Sequence, residues 1–124
     1  MISHDVYWYL HILGIALVVL ALGGVSLHAM SGGTKETSGG RRMATASHGL
    51  GLLLVLVAGF GMLARLGIVQ GGLPGWIWAK LVVWTALGAL IMLPYRRPEL
   101  SKPVWALTAL LVLCAGWLAH AKPF

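Results

Sequence analysis

Five side chains in this sequence carry chemistry that apolar surroundings make expensive: His11, His48, His120, Lys80 and Arg65. Imidazole is the usual nitrogen ligand of haem iron, and a cation held out of water needs an anionic partner such as a porphyrin carboxylate. His11 stands in "YWYLHILGIAL", in line with Tyr7, Ile15, Val18 and Leu22 on one helical face, with Gly14 close beside it. A histidine inside a membrane helix reads either as an axial iron ligand or as a neutral imidazole hydrogen-bonded to a neighbouring helix. Lys80 lies in "PGWIWAKLVVW", with Trp76 and Trp84 one helical turn away on either side. Either it snorkels to the interface, with Trp76 and Trp78 as aromatic-belt anchors, or it neutralises a bound anionic group with Arg65 as its neighbour.

His48 opens "SHGLGLLLVLVAGFGM", and about 100° per residue puts Gly51, Val55, Gly59 and Met62 within about 60° of its own face. Glycines on one face admit another backbone or a flat cofactor, and His48 itself is near enough to the helix start to meet headgroups. His120 shares a face with Gly116 and Leu113 at the end of its span. It is the best-placed partner for His11 if two histidines hold one iron, with His48 as the other candidate. His28 is about 100° round the helix from the His11 face, so that pair cannot hold two stacked haems. "HAM" at 28–30 brings imidazole and thioether together, a pairing suited to copper(I), and His48 and Met43 extend it. The lone Cys114 reads as a small apolar residue rather than a metal ligand.

These side chains need elements to hold them. With 59% hydrophobic residues, 10% charged residues and 17 glycines, the composition does not divide between a small core and a water-facing surface. Four apolar stretches reach the roughly 18 residues needed to cross a bilayer as a helix. They run from Val6 to Met30, Ala44 to Val69, Trp76 to Leu93 and Val104 to Ala121. The first is too long for a signal-peptide core and has no basic residue before it, so it reads as a retained helix. The link "SGGTKETSGGRR" is flexible by composition, and "VQGGLPG" is a tight turn. In "PYRRPELSKP", Pro94 and Pro98 end one helix and Pro103 starts the next. Short links predict an all-α, up-down-up-down four-helix transmembrane bundle forming a single integral membrane domain. Alternating crossings then place His11, Arg65, Lys80 and His120 in one layer, and His28 and His48, with Met30 and Met43, in the other.

The net charge of +6 would suggest nucleic acid or acidic partners in a soluble protein. Here Lys35, Arg41, Arg42, Arg96, Arg97 and Lys102 all fall in the two links on one side, where they set topology. That side is cytoplasmic by the positive-inside rule, both termini are periplasmic, and the expected partners are lipid and a redox partner or a second copy, with no nucleic acid. The predicted spans contain no acidic residue, which argues against a carboxylate-based ion carrier. No H-E-x-x-H, C-x-x-C-H or phosphate-binding glycine loop appears, so covalent c-type haem is excluded.

"YLHILGIAL", "SHGLGLLLVLVAGFGML" and "WIWAKLVVW" resemble the pattern of the SirB invasion-regulator family: Leu-His, a histidine opening the second helix, then Trp with a Lys a few residues later. The first and third also resemble the HemJ-type bacterial membrane protoporphyrinogen oxidase and, more loosely, the membrane domain of CopD copper-resistance proteins. The similarity covers about two thirds of the chain. It implies a bacterial inner-membrane location, His11 as an axial haem ligand and Lys80 as a required cation. His48 is the position matched in the SirB family. The chain departs from the oxidase pattern in having glycine and leucine where that family's first helix usually carries a tryptophan, and in lacking a charged cluster around helix 2. The expected function is a membrane b-type haem protein in electron transfer or porphyrin-linked redox, an oxidoreductase acting on a porphyrin or quinone if it is an enzyme. The alternatives are a copper-handling protein using His28, Met30, His48 and Met43, and a cofactor-free accessory subunit whose histidines bond helices together.

Overall fold

A computed structural model describes residues 2–124, with backbone alone at 69 and 70. Its long helices are α1 (His4–Met30), α2 (Arg41–Arg65), α3 (Gly75–Leu90) and α5 (Ser101–Ala121), with the single turn α4 (Leu93–Arg96) between the last two. Two 3-10 turns, Ile68–Gly71 and Pro98–Leu100, complete the secondary structure, and no strand occurs among the described residues. Four helical segments are long and apolar enough to cross a membrane, the third running through α4 to Arg96, and the chain is an all-helical integral membrane protein.

Local chemistry sets the helix ends and moves several of them from the expected positions. The Ser3 hydroxyl accepts the Val6 N–H at 3.3 Å, so α1 begins two residues early and takes Asp5 into its first turn, against the positive end of the helix dipole. α2 begins at Arg41 rather than Ala44 and ends at Arg65 rather than Val69, because Gly67 turns the chain with φ +73. α3 stops at Leu90, three residues short of Leu93: the ring of Pro94 would clash with the Leu90 carbonyl in a continuous helix. Arg97, ahead of Pro98, leaves the helical region (φ −132, ψ 75). α5 then starts at Ser101 rather than Val104, with Pro103 in the first turn, where a missing N–H leaves no bond unmade.

α1 packs most extensively on α2 and also against α5, α3 packs on α5, and α2 meets α3 in few places. Along α1, Tyr7 lies at Gly61, His11 at Gly59, and Gly14 at Gly51 and Val55. The core cluster joins Leu63 of α2, Trp76, Ile77 and Val83 of α3, and Leu118 of α5. Trp76 therefore belongs to the core, whereas Trp78 is 59% exposed, and only one of the two expected belt anchors faces outward. Between helices in lipid the hydrophobic drive is absent, so close packing and hydrogen bonds hold them together.

The α1–α2 link is ordered by its own bonds, contrary to the coil its composition suggests. The Thr34 N–H donates to Thr37 Oγ1 at 2.8 Å, and His28 Nε2–H donates to the Thr34 carbonyl at 2.7 Å.

Candidate functional site

His11 is fixed by the close approach of α1 and α2. A Cβ at Gly14 would lie 2.8 Å from the Gly51 carbonyl oxygen, and one at Gly51 would lie 2.7 Å from the Gly14 carbonyl oxygen. Any larger residue would force the backbones apart, so around Gly51 the glycine face serves backbone contact rather than a slot for a flat cofactor. About two turns along α2, a Cβ at Gly59 would lie 3.3 Å from His11 Cε1, and its absence lets the imidazole rest against α2. There Nδ1–H donates to the Val55 carbonyl at 2.9 Å. A carbonyl only accepts, so the proton of the neutral ring is on Nδ1 and Nε2 keeps its lone pair. A backbone carbonyl on one ring nitrogen and a lone pair on the other is the arrangement by which proteins orient metal-ligating imidazoles.

Lys80, one turn into α3, is half-buried. It forms no ion pair among the described residues, where the pairs present are His4–Asp5 at 3.8 Å and Arg97–Glu99 at 2.6 Å. A neighbouring cation is spoken for, since the Lys122 ammonium lies 5.6 Å from the centroid of the Trp76 ring. The Trp76 N–H donates to a terminal carboxylate oxygen of Phe124 at 3.2 Å, holding that residue over the first turn of α3.

The other predicted site residues differ in burial. Arg65 is exposed at the end of α2 and His120 is exposed in the last turn of α5. His48 is 6% exposed, and its Nε2–H donates to the Leu87 carbonyl at 3.0 Å. It lies seven residues from Val55, roughly 10 Å along α2, so it and His11 act at different depths. Trp84 Nε1–H donates to the Leu52 carbonyl at 3.0 Å. These two bonds span α2 and α3 where the backbones themselves seldom approach. Sequence reasoning placed Trp84 only as a neighbour of Lys80; the usable signal was that a buried indole N–H must find an acceptor.

Among the described residues no group of three or more His, Cys, Asp or Glu gathers to hold a metal ion. Of the residues considered for copper, His28 donates to the Thr34 carbonyl, His48 donates to the Leu87 carbonyl of α3, and Met43 is 75% exposed. Cys114 is exposed on α5. Of the candidate donors, His11 keeps an Nε2 lone pair, Lys80 is in no ion pair among the described residues, His48 lies at a different depth and His120 is exposed.

No protein-family model, curated protein or solved structure matches the chain. The class of the protein rests on its own residues: an all-helical membrane chain with an oriented interior imidazole and a half-buried cation that lacks a carboxylate partner.

Proposed function

We propose that this chain is a bacterial inner-membrane protein, with helices in up-down-up-down order and periplasmic termini, that binds a b-type haem or related porphyrin through His11. Its role on this reading is electron transfer or porphyrin-linked redox chemistry. What supports it is His11, whose Nε2 lone pair is left free by the Val55 bond, together with a half-buried Lys80 that is in no ion pair among the described residues. Helix bonding accounts for Nδ1 of His11 but not for the lysine. A lysine at the centre of a membrane helix costs about 2.5–3.5 kcal/mol, less toward its end, and an anionic ligand would offset that penalty. When bound, haem would supply one-electron chemistry tuned by its axial ligand and its burial. The chain's own part is to orient Nε2 through the Val55 carbonyl, to hold a carboxylate with Lys80, and to keep α1 tight against α2.

The test is a haemin titration of the full chain in mild detergent, comparing wild type with His11→Gln and Lys80→Met. Glutamine keeps an N–H for the Val55 carbonyl but offers iron no imidazole, so His11→Gln is expected to insert normally and to lose the ligated spectrum. Lys80→Met is expected to weaken binding while keeping the ligated spectrum. An unchanged spectrum and affinity in His11→Gln would remove the ligand assignment.

The bonds from His48 and Trp84 to carbonyls of the neighbouring helix favour a second reading. In it the chain is a cofactor-free accessory subunit whose ring N–H groups fasten helices together. It predicts no haem uptake and a partner that purifies with the chain.

A further inference from the structure

At the end of the bundle formed by the α1–α2 link and α4, a cleft of about 340 Å³ is lined by Thr34, Lys35, Glu36, Met92, Tyr95 and Arg96. Both of its walls are fixed. The Thr34–Thr37 bonds and the His28 bond to the Thr34 carbonyl hold Lys35 and Glu36 on a turn pinned to the end of α1. Opposite, Pro94 is buried and the Arg97 N–H donates to the Leu93 carbonyl at 2.7 Å, closing the α4 turn that presents Tyr95 and Arg96.

Lys35, Glu36 and Arg96 share this cleft, yet none of them forms an ion pair among the described residues. All three side chains are exposed, so a group entering the cleft can bond them in place of water. Two cations against one carboxylate give the cleft a net charge of +1, which a single phosphodiester neutralises. Tyr95 adds a hydroxyl donor, and Met92, 43% exposed, adds an apolar edge. Basic pockets between membrane helices bind anionic headgroups through charge-assisted bonds to phosphate.

We propose that this cleft binds the phosphodiester headgroup of an anionic phospholipid, with Lys35 and Arg96 on the phosphate and Glu36 accepting a headgroup hydroxyl. The inference needs only that the chain is embedded in a bilayer and is independent of the His11 reading.

The experiment measures retention of short-chain phosphatidylglycerol on the full chain in detergent by native mass spectrometry. Lys35→Gln with Arg96→Gln is compared with Arg41→Gln with Lys102→Gln, which removes the same charge from exposed positions outside the cleft. The cleft variant is expected to lose binding about tenfold or more, with the control within about twofold of wild type. Equal loss in both would reduce the effect to general electrostatics and overturn the site. Equal retention of phosphatidylcholine by wild type would overturn the anionic selectivity. Binding of soluble glycerophosphoglycerol as tightly as the lipid would reassign the cleft to a water-soluble phosphate.

Discussion

Gly51→Ala tests the contact that orients His11. The added Cβ would meet the Gly14 carbonyl oxygen at 2.7 Å, Val18 Cγ2 at 2.9 Å and Leu17 Cβ at 3.0 Å, whereas ordinary contact begins at 3.4 Å. Backbone on one side and a Cβ on another cannot swing away, so α1 and α2 must part by about 0.7 Å, the difference between 3.4 and 2.7 Å. Carried wholly into the His11–Val55 bond, that shift stretches it from 2.9 Å to about 3.6 Å, outside hydrogen-bonding range. Overpacking of this kind costs about 1–3 kcal/mol, and the lost interhelical bond adds about 0.6 kcal/mol. Gly24→Ala is the matched control: nothing lies within 4 Å of a Cβ there, and alanine is a better helix former by about 1 kcal/mol. Reversible unfolding by steric trapping in mild detergent is expected to show Gly51→Ala destabilised by about 2–3 kcal/mol and Gly24→Ala neutral or stabilised. Haemin affinity of the inserted Gly51→Ala protein falls as well, because Nε2 loses its fixed aim. Equal stability of the two variants would refute this description of the α1–α2 contact.

Lys80→Met removes a half-buried charge that has no carboxylate partner, so the ligand-free protein is expected to gain about 1 kcal/mol in the same unfolding assay while haemin affinity falls. A loss of stability would show instead that the ammonium is well solvated or paired. His48→Phe and Trp84→Phe each delete one α2–α3 bond and are expected to cost about 0.6–1.7 kcal/mol, with faster hydrogen exchange confined to those two helices. Ser26 and Ser101 bury hydroxyl oxygens that find no partner among the described residues. Alanine at either position is accordingly expected to be neutral or to stabilise by up to about 1 kcal/mol, read as a shift in thermal unfolding.

The four spans were legible because a bilayer demands about 20 apolar residues in a row, and nothing else in the chain produces such runs. Their ends were not, because Ser3, Gly67 and Pro94 act through single bonds or clashes that hydropathy does not register. His11 and Lys80 stood out as ionisable groups in apolar sequence. Their surroundings were hidden for another reason. The acceptors for His11, His48 and Trp84 are backbone carbonyls of Val55, Leu87 and Leu52, and every residue has one. His120 and Arg65 were expected near His11 from depth alone; in helices apolar on nearly every face the rotational phase near an end is set by packing and is not written in hydropathy. Both side chains lie exposed. The α1–α2 link shows the reverse error: glycine and serine suggest coil, yet two threonines and His28 tie it into a turn.

The haem reading meets its most direct test in the absorption spectrum of the full chain purified in mild detergent, first oxidised and then reduced with dithionite, with a pyridine haemochrome assay for stoichiometry. It predicts a Soret band that shifts on reduction and about one b-type haem per chain, lost in His11→Gln. A colourless protein that also fails to take up added haemin would contradict it and leave His11 as one more bond between α1 and α2.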